Sequence, residues 1–151
     1  MIIFALRHAD RTSDNEDLSQ AGRERAVLLA RMLAETGVSI AYRSDAMRAA
    51  RTLEPLEQKL GAALTVEQVG FPGQNEREFH IRKIVDSIKA LPSDKIVAVV
   101  SHSNTVGPIL ERLGSGPVPE IKDTEFDKLF VLFRGNAGPS TLLKLRYGPA
   151  T

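Results

Sequence analysis

Short apolar runs alternate with segments of helical period along most of the chain, and this alternation limits the fold more than any other feature. "IIFAL" (2–6) and "KIVAVV" (95–100) are uninterrupted, as expected of strands covered on both faces. "VSIAY" (38–42) and "ALTVEQV" (63–69) read as two further strands. Between them lie predicted helices. One is capped by Ser19, presents Ala26, Leu29, Ala30 and Leu33 on one side, and closes at Gly37. A second spans 46–60, with Pro55 inside it as an expected kink and Gly61 as its stop. A third spans 77–91, and a fourth spans 103–114 with Ser103 as its cap. "KLFVLF" (128–133) and "STLLKL" (140–145) flank a Gly/Pro turn and read as a closing hairpin. The expected fold is therefore α/β. It is a three-layer αβα sandwich over residues 1–151, one domain, with a mostly parallel sheet and an antiparallel edge strand.

In such a sheet, ligands gather at the carboxyl ends of the strands. The first strand delivers Arg7 and His8 there, and the second delivers Arg43 and Ser44. Arg48 and Arg51 follow one or two turns into the next helix, and the "KIVAVV" strand delivers Ser101, His102, Ser103 and Asn104. Arginine forks match pairs of phosphate oxygens, and helix N-termini add partial positive charge. The same field disfavours imidazolium, so a histidine here can stay neutral and nucleophilic. A strand that ends on Arg7-His8 thus ends at a candidate reaction centre.

Composition narrows the chemistry. Twenty basic residues against nineteen acidic ones leave a net charge of +1, so no global field draws the chain to nucleic acid or an anionic membrane. Six Phe and two Tyr offer little base stacking. The absence of cysteine removes disulfides, thiolate catalysis and cysteine-ligated metals. His8, His80 and His102 show no helical metal-pair spacing, so neither metal nor cofactor is expected, and His80 reads as structural or exposed. No run approaches transmembrane length and the first strand starts at Ile2, which makes a cytoplasmic protein the expectation.

Four blocks in order resemble the histidine phosphatase superfamily, which includes the phosphoglycerate mutases. "LRHAD" (6–10) resembles its Arg-His motif, and "LSQAGRERA" (18–26) the stretch that follows. "SDAMRAART" (44–52) is similar to the block carrying the second arginine, here Arg48, and "SHSNTV" (101–106) to the second histidine block. "FDKLFVLF" (126–133) also looks like small bacterial members. The resemblance implies a phosphoglycerate mutase-like fold. It also implies that His8 attacks phosphorus and becomes a phosphohistidine, while Arg7, Arg48 and His102 hold the phosphoryl oxygens. Water would then complete hydrolysis. Ser44 and Asn104 are expected to contact phosphate or a histidine ring.

The sequence departs from larger members in ways that shape expectation. Arg43 and Arg51 make the rim more basic, as an acidic substrate would favour. Larger members place a glutamate acid after the third strand, where this chain has "GFPGQNEREF" (70–79). Glu76, Glu78 and Asp10 are the candidate acids, against the plainer readings of solvated loop carboxylates and an Asp10 that caps or pairs with an arginine. The chain also lacks the insertions that form a lid in mutases. The expected substrate is thus a small phosphorylated molecule or a phosphohistidine protein, whose leaving group depends less on a strong acid. A non-catalytic phosphate-binding or regulatory module on the same fold is the alternative, and a mutase is disfavoured. The sequence assigns no oligomeric state.

Overall fold

A computed structural model describes residues 1–14, 16–70 and 76–151. Most of the loop expected over 70–76 lies outside the described residues, which retain its ends, Gly70 and Glu76.

The chain runs β1 (Ile2–Arg7), α1 (Gln20–Leu33), β2 (Ile40–Arg43), α2 (Met47–Leu60), β3 (Thr65–Gln68), α3 (Arg77–Lys89), β4 (Ile96–Ser101), α4 (Val106–Arg112), β5 (Lys128–Phe133) and β6 (Thr141–Arg146). The six strands form one sheet in the order β3-β2-β4-β1-β5-β6. Pairings among the first four are parallel; β5 runs antiparallel to β1, and β6 antiparallel to β5.

The central strands alternate between two buried layers. Ile3, Ala5, Val97 and Val99 face α3 and α4, where Ile84, Ile88 and Ile109 meet them. Leu6, Ala98 and Val100 face α1 and α2 through Leu29, Leu33, Leu53 and Leu56. Burial on both faces is why "IIFAL" and "KIVAVV" have no polar alternation. Each fully buried aliphatic side chain contributes roughly 1.5–3 kcal/mol. No helix among the described residues is long and apolar enough to cross a membrane.

Local signals explain most boundaries. Ser19 Oγ accepts from the Gly22 N–H at 3.1 Å and caps α1. A Cβ on Gly22 would stand 2.0 Å from the Asp10 carbonyl oxygen, so only glycine lets the loop after β1 cross the helix there. α2 continues through Pro55 and stops at Gly61, whose φ is +53°. α4 departs from expectation. It starts at Val106 and not behind Ser103, because the Thr105 N–H and Val106 N–H both donate to the His102 carbonyl, at 3.1 and 3.2 Å. Residues 102–105 are therefore a turn in front of a seven-residue helix, not its first turn.

Candidate active site

Strand register brings the two rim histidines together. Arg7 pairs with Ser101 across β1 and β4, and the His8 N–H donates to the Ser101 carbonyl at 2.9 Å. His8 and His102 are thus equivalent next residues on neighbouring parallel strands. Their ring centroids stand 5.3 Å apart, close to edge-on.

The tautomer of His8 follows from its partners. Nδ1 lies 2.9 Å from the Ala9 carbonyl oxygen, which can only accept, so Nδ1 carries the proton. Nε2 then presents a lone pair, and it receives the Arg48 Nε–H at 3.1 Å. Thr52, buried one turn after Arg48, fixes this arrangement by accepting from the Ala9 N–H at 2.9 Å and donating to the Arg48 carbonyl at 2.7 Å. Burial lowers the His8 pKa to about 2, helped by His102, Arg7 and Arg48, while the bond to Ala9 acts in the opposite direction. His102 is lowered to about 3 by burial, then by Arg48, His80 and Arg7. Both rings are neutral at pH 7.

Arg7 has a second task. Its NH1 donates to three carbonyl oxygens, those of Lys122 (3.2 Å), Asp123 (2.8 Å) and Glu125 (3.0 Å). Its Cζ sits 4.1 Å from the Phe126 ring centroid, a cation–π contact. Burial, and then the charge of Arg11, lower its pKa to about 10. Arg7 therefore clips a segment more than a hundred residues away onto the end of β1.

Behind His102 runs a buried hydrogen-bond chain. The His102 N–H donates to Thr105 Oγ1 at 3.0 Å; Thr105 Oγ1 and Ser101 Oγ are 2.7 Å apart, and Ser101 Oγ is 2.7 Å from His80 Nε2. His80 Nδ1 donates to the Val69 carbonyl at 3.0 Å, which makes Nε2 the acceptor of the Ser101 hydroxyl. Of the two sequence readings of His80, the structure takes the structural one, fully buried.

These groups open into a cleft of about 330 Å³ lined by Arg7, His8, Arg48, His102 and Asn104. Ser103, Arg11 and Asp123 complete its wall. A larger groove of about 400 Å³ between α1 and α2 holds neither histidine and lacks this chemistry.

Several expected site residues lie elsewhere. Of its two expected contacts Ser44 makes the one to a histidine ring, His102 Nε2 to Oγ at 2.8 Å, fully buried and without lining the cleft. Arg43 folds back to donate to the Ser44 carbonyl at 2.9 Å. Arg51 is drawn to Glu54 at 3.0 Å and faces Asp17 at 3.9 Å, on the groove between α1 and α2. The extra basic rim charge expected from Arg43 and Arg51 is therefore absent from the cleft. Asp10 is held by Arg25, whose Nε donates to Oδ2 at 2.6 Å. Glu78 forms a two-pronged pair with Arg112 at 2.6 and 2.8 Å, and Glu76 precedes α3; neither lines the cleft. Asp123 is the one carboxylate among the described residues that does. The sequence reading passed over Asp123, Phe126, Thr52 and Arg11. Thr52 follows Arg48 by one turn and Arg11 follows His8 by three residues, so both carried a local signal. Phe126 heads the "FDKLFVLF" stretch that resembles small bacterial members, whereas Asp123 carried no signal.

Residues 3–79, just over half of the chain, match the model of the histidine phosphatase superfamily (branch 1). Comparison with curated proteins gives no match. Among solved structures, the protein histidine phosphatase SixA complexed with tungstate is similar at 22% identity, with 97% of each chain covered and a TM-score of 0.70. The mycobacterial glucosyl-3-phosphoglycerate phosphatase complexed with VO3 is similar at 16% identity, covering 97% of this chain and 99% of its own, with a TM-score of 0.69.

Proposed function

The chain belongs to the histidine phosphatase superfamily, and from that premise we propose that it is a metal-independent phosphatase with His8 as nucleophile. The observation that carries this reading is the state of His8: a neutral ring whose Nε2 lone pair faces a cleft lined by guanidinium groups. Binding phosphate requires only the cations. It does not require a histidine held in the nucleophilic tautomer, so the alternative of a non-catalytic phosphate-binding module leaves that arrangement unexplained.

In the proposed reaction, His8 Nε2 attacks phosphorus in line and the bond to the leaving group breaks, giving a phosphohistidine. Arg48, displaced from Nε2 by the incoming phosphoryl group, turns its fork to the phosphoryl oxygens together with Arg7 and His102. Ser44 sets the orientation of the His102 ring. Asp123 is the carboxylate available to give a proton to a leaving alkoxide. Water then attacks phosphorus and gives Asp123 its proton. The P–N bond breaks, its electron pair returns to Nε2, and inorganic phosphate leaves. The substrate class is a small phosphomonoester or a phosphohistidine protein. That the similar SixA and mycobacterial structures hold tungstate and VO3 is consistent with an oxyanion seat on this fold.

The test is hydrolysis of an aryl phosphate, and of a phosphohistidine protein, with a chelator present. Turnover by wild type that is lost in His8→Ala is the expected result. Correctly folded wild type that turns over neither substrate would sink the proposal in favour of a binding module.

A further inference from the structure

We infer that Arg11 forms a second anion site beside the phosphoryl seat, and that the substrate carries another anionic group, carboxylate or phosphate, near the phosphoryl group it loses. The inference rests on the phosphatase reading for the first site and on the surroundings of Arg11 for the second.

Main-chain pairing holds Arg11 in place: it forms an antiparallel bridge with Leu18 at the base of the loop that leaves β1. Its half-buried side chain lines the same cleft as His8 and Arg48. Among the described residues its guanidinium has no hydrogen bond or ion pair, although Asp10, Asp14, Glu16 and Asp17 share its loop; Arg25 holds Asp10. Asp14 takes the Thr12 hydroxyl and the Glu16 N–H, and Asp17 takes the Leu18 N–H and faces Arg51. Elsewhere on the surface, Arg51, Arg112 and Arg146 are each paired with a carboxylate.

The guanidinium groups of this cleft repel one another. The charge of Arg11 lowers the pKa of both Arg7 and Arg48, which is mutual repulsion among three like charges. Among the described residues no carboxylate pairs with Arg11, so a ligand anion is the natural partner.

The position of Arg11 separates its role from that of the phosphoryl clamp. The charges that bear on His8 are those of His102, Arg7 and Arg48, and Arg11 is not among them. Arg48 touches Nε2 directly. Arg11 lines the same cleft without a hydrogen bond to His8, which leaves it for the part of the substrate beyond phosphorus. The sequence argued for an acidic substrate from Arg43 and Arg51; the structure removes both from the cleft and leaves Arg11 to read the second charge.

Binding is measured first, so that the result does not depend on turnover. The probes are 3-carboxyphenylphosphonate, its neutral carboxamide, and 1,3-phenylenediphosphonate, titrated calorimetrically into wild type, Arg11→Gln and Arg11→Lys. Wild type should prefer an anionic probe over the carboxamide by about tenfold at low salt, falling as salt rises. Arg11→Gln should bring that ratio to about one, and Arg11→Lys should keep part of it. The preferred anionic probe names the second group as carboxylate or phosphate. A ratio near one in wild type, or a ratio that Arg11→Gln leaves unchanged, overturns the inference. An Arg11-dependent preference in a protein that hydrolyses no phosphate supports the anion site and overturns the phosphatase reading alone.

Discussion

Arg48 and His8 share one hydrogen bond, from the Nε–H of the arginine to the Nε2 lone pair of the histidine, at 3.1 Å. The cation thus waits on the atom that would attack phosphorus. It selects the reactive tautomer, and it has to give way to the phosphoryl group it would then hold. Arg48→Ala should slow formation of acid-labile phosphohistidine by roughly 10²–10³-fold, read by quenched flow. Arg48→Lys should recover little, because a point charge replaces a fork. A loss of under threefold in Arg48→Ala would contradict this role.

Asp123 should matter in proportion to how poor the leaving group is. Asp123→Asn is expected to cut kcat/KM for alkyl phosphates by about 10²-fold or more, with a much smaller effect on nitrophenyl phosphate and phosphohistidine. Glu78→Gln, which breaks a pair outside the cleft, should change neither. An equal loss on all leaving groups would show that Asp123 is not the proton donor.

The two neutral histidines make stability depend on acid. Both folded-state pKa values lie below the ordinary 6.5, at about 2 for His8 and about 3 for His102. Below pH 6.5 the unfolded chain therefore binds protons that the folded chain refuses, and stability falls as pH falls toward those values. The loss at pH 5 is about 2 kcal/mol per histidine. Urea midpoints at pH 7 and pH 5 measure it, and His8→Gln should flatten the difference. A midpoint unchanged between the two would refute it. For the free enzyme, kcat/KM should likewise show no titration of His8 near pH 6.5.

Thr105 tests the chain behind His102. Thr105→Val removes the acceptor of the His102 N–H and the link to Ser101 and His80 while keeping the volume. A buried donor left unpaired costs about 1–3 kcal/mol of stability. If the turn also aims His102, kcat should drop about tenfold with little change in KM, and Thr105→Ser should restore it. A stability loss with unchanged kcat would reduce the chain to a purely structural role.

Much of this was legible in the sequence because the sheet is covered on both sides. The uninterrupted apolar runs marked β1 and β4, and their parallel register brings His8 beside His102. Where expectation and structure part, a tertiary partner made the choice. Ser103 and Thr105 are both capping residue types, and the turn closed on the His102 carbonyl puts Thr105, not Ser103, at the start of α4. Arg43 and Arg51 were counted at the rim by position, but Glu54, Asp17 and a carbonyl claim their guanidinium groups. Asp10 takes the plainer of its two readings and pairs with an arginine, Arg25. Asp123 sits 115 residues beyond His8 with no periodic signal around it, so only the folded chain reveals it.

The clip made by Arg7 also sets an order of events during synthesis. All four sequence blocks are complete by residue 106, yet the carbonyls that hold Arg7 belong to residues 122–125. A nascent chain released or cut before that segment emerges carries both histidines and Arg48, while Arg7 has nothing to hold and β1 lacks its β5 neighbour. The partners of Arg7 therefore emerge after both histidines and Arg48, and the cleft takes its full form only once residues 122–125 have joined the fold.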